Sequence, residues 1–276
     1  KWIERLLAQV NKGLAVTLPV VSNGDVSSPE TKIESTVMKQ TARYDQGLLD
    51  TAYQLLSHLP TNQHRVLCAT DGGTLNLSSS AMWVDESDDG WMEDDCWNNP
   101  KVVGMDTEWY SDPRSKQVKL ATLQLSVPTT EKEGIASIVM DMISAAEEKD
   151  YGQRVAQWLM ETVFNGETIV VGFAMTQDLH KIRKSLGKRS NKMKQSSILD
   201  IQRLVPSAKG RLPSLQTCVA RYMNDALLSK EEQCSDWSRR PLLTEQMQYA
   251  ALDSAILLVL LPLILSVERG YGDERK

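Results

Sequence analysis

The stretch VVGMDTEW, residues 102–109, decides how the rest of the chain is read. Val102, Val103 and Met105 make it a buried strand, and that strand ends in acids. Residues i and i+2 of a strand share a face, so Asp106 and Glu108 point the same way. Two neighbouring carboxylates repel each other and are costly to desolvate unless something positive compensates. A divalent cation would compensate. A D-x-E pair at a solvated strand end is also common, so the pair gains meaning from what accompanies it.

Downstream, Lys119–Val127 (KLATLQLSV) alternates with period two and Ile135–Met142 reads as another strand. With 102–109 these form an antiparallel meander. A helix over Tyr151–Phe164, a buried strand over Thr168–Phe173, a helix over Gln177–Leu186, a strand over Ser197–Ile201 and a helix over Ser214–Met223 follow. Leu243–Val267 is a long final helix containing Pro262. Strands first, then alternating helices and strands, predict an α/β fold: a mixed sheet, antiparallel meander plus parallel strands, flanked by helices in a ribonuclease-H-like layout. The apolar run Ala255–Leu265 is too short for a membrane span of roughly 20 residues and reads as a buried helix, so no membrane partner is expected.

Upstream, residues 1–12 carry a short amphipathic pattern, 21–41 a polar linker, and 44–59 a helix with Leu48, Leu49, Ala52, Leu55 and Leu56 at helical spacing. From Asp71 to Asn99 the chain turns Gly/Ser-rich and then acidic, with Asp85, Glu86, Asp88, Asp89, Glu93, Asp94 and Asp95, and is expected to be a mobile, solvated loop rather than a metal site. The domain division is therefore 1–70 as an N-terminal helical appendage with a linker, 71–100 as an acidic flexible loop, and 101–270 as the domain that carries the chemistry.

The net charge of −5 excludes a chain coated in basic residues, although acidic segments can mask a basic groove. Cys68, Cys96, Cys218 and Cys234 form no C-x-x-C pair and there are three histidines, so no zinc signature is present. Reduced thiols and an intracellular setting, cytoplasmic or nuclear, are expected.

Two more acidic features matter. Asp178 follows the apolar strand TIVVGF and opens the helix DLHKIRKSL, where an acid is also favoured by the helix dipole. Tyr249 and Asp253 lie at i, i+4 on one helix face among small and apolar residues. Each alone is unremarkable. Together they bring carboxylates from separate elements, as two-metal phosphodiester hydrolysis requires. All-oxygen ligands suit Mg²⁺ or Mn²⁺, and a further group must orient or deprotonate the attacking water.

With these residues in this order, residues 100–268 resemble the DEDDy branch of the DnaQ-like 3′→5′ exonucleases, which includes ribonuclease D and the Werner-type exonuclease domain. The matching residues are Asp106 and Glu108 in GMDTEW, Asp178 in VGFAMTQDL, and Tyr249 with Asp253 in YAALD; LATLQLS, SILDIQRL, LPSLQTCVARYM and the run 229–254, with Lys230, Trp237, Arg240, Pro241 and Leu242, support them. The combination of GMDTEW, EQCSDW–RRPL and YAALD is most similar to Nibbler-type proteins, which trim the 3′ ends of small RNAs. The resemblance implies two Mg²⁺ or Mn²⁺ ions, with Asp106 bridging both, Glu108 and Asp253 holding the one that carries the nucleophilic water, Asp178 helping to hold the second, and Tyr249 positioning the water and assisting its deprotonation. Nucleoside 5′-monophosphates would be released from single-stranded nucleic acid. The lean to RNA over DNA comes from the resemblance alone. In Nibbler-like proteins a helical domain precedes the nuclease, and residues 1–60 are compatible with its remnant or a capping element; the acidic loop or residues 1–60 would be the segment that recruits a protein partner.

Between Lys181 and Lys194 lie Lys181, Arg183, Lys184, Lys188, Arg189, Lys192 and Lys194 with no acid among them, a strip suited to phosphates. Trp109 or Tyr110 could stack a terminal base. By the resemblance, Thr107, Leu123 and Gln124 face the same region and would contact the terminal nucleotide. The competing readings are a catalytically weak binding or scaffold module on the same fold, and a DNA-directed exonuclease.

Overall fold

The strand that carries Asp106 and Glu108 runs over Val102–Ser111 (β4). In the computed structural model, which describes residues 44–59, 67–69, 75–77, 81–87, 90–93, 95–129, 134–207 and 210–272, this strand lies inside a six-stranded sheet. The amphipathic pattern at 1–12 and the linker at 21–41 lie outside the described residues. Val118–Pro128 (β5) pairs antiparallel with β4 and Ile169–Gly172 (β7) pairs parallel with it. Ile135–Asp141 (β6) continues the sheet antiparallel to β5, and Ile198–Asp200 (β8) parallel to β7. Met82–Val84 (β3) closes the far edge, parallel to β6. The order is β3-β6-β5-β4-β7-β8, the mixed sheet that the element pattern predicts. Leu67–Ala69 (β1) and Leu75–Leu77 (β2) pair as a separate antiparallel ribbon.

Strand alternation sorts the two faces. Val103, Met105, Leu123, Leu125, Ile138 and Met140 enter a core closed by helices Met142–Glu147 (α3), Lys149–Trp158 (α4) and Thr176–Leu186 (α5). The opposite face of β4 carries Gly104, Asp106 and Glu108. Thr244–Arg269 (α7) packs there; the Gln246 side chain accepts from Leu243 N at its start, and Gly270, φ +67°, ends it in the left-handed region where glycine has no steric penalty. Residues 255–265 are nearly all fully buried, against the sheet, helix Gln46–Leu56 (α1) and helix Leu215–Tyr222 (α6). The helix is long and apolar enough to cross a membrane, but that apolarity is taken up by the core. Pro262 sits within it without ending it.

One close approach sets the position of α7. A Cβ on Gly104 would stand 2.2 Å from the carbonyl oxygen of Ser254. Hydroxyls complete the seam: Ser254 Oγ is 2.7 Å from Ser126 Oγ, which is 2.8 Å from Ser137 Oγ. Glycine and small hydroxyl residues therefore let the helix lie almost on the strand backbones.

Two expectations change. The acidic stretch before Lys101 is not wholly a solvated loop. It supplies β3, a 3₁₀ turn over Gly90–Glu93 and the short helix Asp95–Asn98 (α2), and it buries Val84, Trp91 and Trp97. Trp91 meets Trp158 edge to face, with ring centroids 4.6 Å apart. Each tryptophan removes roughly 150–250 Å² from water, which anchors this stretch to the core. Helix α1, expected in an N-terminal appendage, buries Leu49, Ala52 and Leu56 in the same core as α7, because its apolar stripe finds its partner there.

Candidate active site

Strand β4 delivers Asp106 and Glu108 to the face that α7 covers, and α7 delivers Tyr249 and Asp253 one helical turn apart. Carboxylate oxygens of Asp106, Glu108 and Asp253 all lie within 4.8 Å of one another. These residues and Tyr249 line a cavity of about 440 Å³, open to solvent, with Phe173 and Leu257 as apolar wall and Gln216 and Gln233 beside them.

The acids are short of positive charge. Burial raises Asp106 well above the usual carboxylate range, and Asp253 and Asp178 add to the shift. Burial, then Asp106 and Asp253, pushes Glu108 up to about 9. Burial also raises Asp253, against the pull of Lys230. Asp253 is 2% exposed, and among the described residues its Oδ1 finds no hydrogen-bond donor. An orphaned buried oxygen within a cluster of crowded carboxylates, with no nitrogen or sulfur ligand in the set, fits a hard divalent cation.

Asp178 is placed differently. It begins α5 on the other side of β4, where burial raises it and the Thr107 hydroxyl, donating to its Oδ1, opposes the shift. Trp109 Nε1 donates in turn to Thr107 Oγ1 at 2.7 Å. Asp178 is close enough to Asp106 to raise it, yet it is not one of the three acids whose oxygens converge. Thr107 lines the cavity but is 6% exposed, and its hydroxyl is already held between Asp178 and Trp109.

Tyr249 is buried beside these acids. Burial, then Asp253 and Glu108, pushes its phenol far above the usual range, so it keeps its proton at neutral pH. Lys230 Nζ donates to the Tyr249 hydroxyl at 3.2 Å and pairs with Asp253 Oδ2 at 3.4 Å. The resemblance matched Lys230 without giving it a role, and a lysine in an irregular run has no periodic signal that would place it in the site. Arg240 was also not placed. It braces the segment that carries Lys230: its guanidinium meets both Asp141 oxygens, at 2.8 and 2.7 Å, and donates to the Ala121 carbonyl at 2.9 Å. Ala121 is the extra residue where the β4–β5 register slips between Glu108 and Trp109.

Other expected contacts fall elsewhere. Leu123 and Gln124 are fully buried and do not line the cavity: Leu123 points into the α4–α5 core, and Gln124 hydrogen-bonds Thr122 within the sheet. β5 is covered on both faces, so its polar alternation does not mark a surface. In the basic strip, Lys181 Nζ sits 5.0 Å from the centre of the Trp109 ring, beside the cavity. Lys188 and Arg189 lie on the 3₁₀ turn after α5, and neither they nor Arg183 line the cavity.

Comparison with known proteins agrees with this geometry. The sequence model of a 3′–5′ exonuclease family matches residues 95–266. The exonuclease mut-7 homolog of Drosophila melanogaster is 30% identical over 112 residues, 36% of this chain and 18% of that protein, so the chain spans less than a fifth of that relative. The Nibbler EXO domain of Aedes aegypti shares the fold, with a TM-score of 0.54 at 23% identity over 68% of this chain and 88% of that one. The catalytic core of RRP6 from Trypanosoma brucei gives 0.51 at 20% identity, covering 76% of this chain and 54% of that one. RNase D of the same organism, in complex with the RNA U12, gives 0.53 at 16% identity, covering 78% and 68%.

Proposed function

The chain belongs to the 3′–5′ exonuclease family, a family of metal-dependent nucleases, and on that premise we propose that it removes nucleoside 5′-monophosphates one at a time from the 3′ end of single-stranded RNA. The convergence of Asp106, Glu108 and Asp253 within 4.8 Å, with Tyr249 on the same cavity, carries this reading. RNA is supported by the RNA-bound state of T. brucei RNase D, a fold relative. Small-RNA 3′ trimming is the finer reading, supported by the Nibbler-type motifs and by the fold shared with the Aedes aegypti Nibbler EXO domain.

Asp106, Glu108 and Asp253 are the residues that would hold divalent cations, Mg²⁺ or Mn²⁺, with Asp178 contributing from α5. When bound, such ions would supply positive charge to activate water and to stabilise the departing 3′ oxygen. The chain's other residues have separate tasks. Tyr249, held protonated, orients the attacking water through its hydroxyl. Lys230 fixes that hydroxyl and the Asp253 carboxylate in one arrangement. Thr107 fixes Asp178. Trp109, at the cavity edge, offers a ring for the terminal base.

The test is a 5′-labelled single-stranded RNA and the matched DNA, incubated with Mn²⁺, Mg²⁺ or EDTA, beside the Asp106→Ala/Glu108→Ala double variant. The expected result is a ladder that shortens from the 3′ end, depends on the cation, disappears in the variant and runs faster on RNA. Intact strands under every cation, with binding retained, would overturn it.

A further inference from the structure

A second cavity, of about 230 Å³, opens between the tip of the β4–β5 hairpin, α3 and α5. Its floor is apolar: Leu120 is buried, Ile143 and Tyr110 are half-buried, and Val118 presents an exposed side chain. Lys119, Lys181 and Lys184 stand on its rim, and Glu147 is the carboxylate among the lining residues.

The three ammonium groups are not equivalent. Lys119 is neutralised, paired with Asp112 and influenced by Glu147. Lys181 and Lys184 are held by uncharged acceptors instead. Lys181 Nζ donates to the Val118 carbonyl at 2.9 Å, and Lys184 Nζ donates to Gln117 Oε1 at 2.9 Å. Among the described residues neither meets a carboxylate. Burial and the Lys184 charge hold Lys181 below the usual lysine range, as expected for neighbouring cations that lack an anion. Hydrogen bonds to a carbonyl and an amide fix the positions of these charges without cancelling them.

The cavity neighbours the catalytic one across the contact between Lys181 and Trp109. Lys181 belongs to its rim and lies over the Trp109 ring, and Trp109 lines the cavity that holds the acids. An occupant that bridges them needs negative charge, a flat apolar part and a continuous chain. Drug-sized ligands occupy about 300–1,000 Å³, so about 230 Å³ suits a single base with its phosphate.

We propose that this cavity seats one nucleotide of the substrate strand upstream of the scissile end, its base on the Leu120–Ile143–Tyr110 floor and its phosphate between Lys181 and Lys184. The proposal rests on the single-strand substrate assigned above and adds a length requirement: only a strand long enough to pass Trp109 gains the contact.

The experiment measures binding by fluorescence anisotropy and exonuclease rates side by side, for a dinucleotide and for a strand of about ten nucleotides. It compares the full chain with Lys184→Gln and with Ala146→Trp, which fills the cavity from an exposed position. The unaltered chain should prefer the longer strand by at least about tenfold. Each variant should lose most of that preference with unchanged dinucleotide affinity, and Lys184→Gln should flatten the salt dependence of long-strand binding by a slope of about 0.7, one phosphate contact. Equal losses for both lengths, or no length preference in the unaltered chain, would overturn the seat. Competition against the long strand by nucleoside 5′-monophosphate alone, at the strand's own half-saturation, would overturn it in favour of a free-nucleotide site. Length-dependent binding through Lys184 without strand shortening would uphold the seat and sink the exonuclease reading instead.

Discussion

Lys230 and Asp253 form an ion pair inside the catalytic cavity, Nζ to Oδ2 at 3.4 Å, while the second oxygen of Asp253 is buried with no donor among the described residues. The lysine thus supplies part of the positive charge that this acid cluster needs.

Replacing it removes that charge. Lys230→Met should lower the stability of the cation-free protein by about 1–2 kcal/mol, less than the 3–5 of a fully buried pair because the lysine side chain is 25% exposed. Saturating Mn²⁺ should recover most of the loss. Thermal unfolding with chelator and with Mn²⁺ measures both; an equal loss in the two conditions would assign Lys230 a packing role only.

Thr107 acts through Asp178. Thr107→Val keeps the side-chain shape and removes the hydroxyl that donates to Asp178 Oδ1. Removing partners of this kind usually costs about 10–100-fold in metal affinity or activity. The exonuclease rate should fall by that factor, partly rescued by raised Mn²⁺, and the melting temperature should fall too, because Trp109 Nε1 and Asp178 lose their shared partner. An unaltered rate at limiting cation would show that Asp178 needs no such support.

The acids also set a pH dependence. Folding raises Glu108 from 4.5 to about 9, so between these values the folded chain binds more protons than the unfolded one, and stability falls as pH rises. Asp106, Asp178 and Asp253 shift in the same direction. In chelator, the melting temperature should therefore decline from about pH 5 to about pH 9, and Glu108→Gln should flatten the decline. A melting temperature that climbs across this window in chelator, and equally so in Glu108→Gln, would show that the cluster is not under this strain.

Gly104 fixes the seam between strand and helix. In Gly104→Ala the added Cβ meets backbone, 2.2 Å from the Ser254 oxygen, so α7 must move. Overpacking of this kind costs about 1–3 kcal/mol, and because Asp253 precedes Ser254 the rate should fall further than the stability does. Urea unfolding and single-turnover rates on one sample separate the two effects; a stable variant with full activity would mean that the seam does not position Asp253.

Much of this molecule is legible in its sequence because its signals are periodic. The i, i+2 acids of β4, the alternation of β5 and the i, i+4 pair Tyr249 and Asp253 each state a face, and those faces converge. Partners brought by the tertiary fold leave no such trace. Thr122, Gln124 and Ser126 look like a surface edge, yet they are buried, with Gln124 bonded to Thr122 and Ser126 bonded to Ser137 and Ser254. Lys230 and Arg240 sit in an irregular segment braced through Arg240 on Asp141 and Ala121, 99 and 119 residues earlier in the chain. In the acidic stretch, composition averaged over 30 residues hid Trp91 and Trp97, and three-residue β3 is too short to alternate.

β3 also bears on where the chain can be cut. The family match begins at residue 95, after β3, so a protein trimmed to that boundary loses the strand that pairs with Ile138, Val139 and Met140. The backbone amides and carbonyls of β6 on that side would then be bare, and an uncovered strand edge is a template for other chains. The shortened enzyme would retain every acid of its cavity and still tend to self-associate, so the smallest well-behaved version of this nuclease keeps β3, and with it α1, whose Leu49, Ala52 and Leu56 share the core of α7.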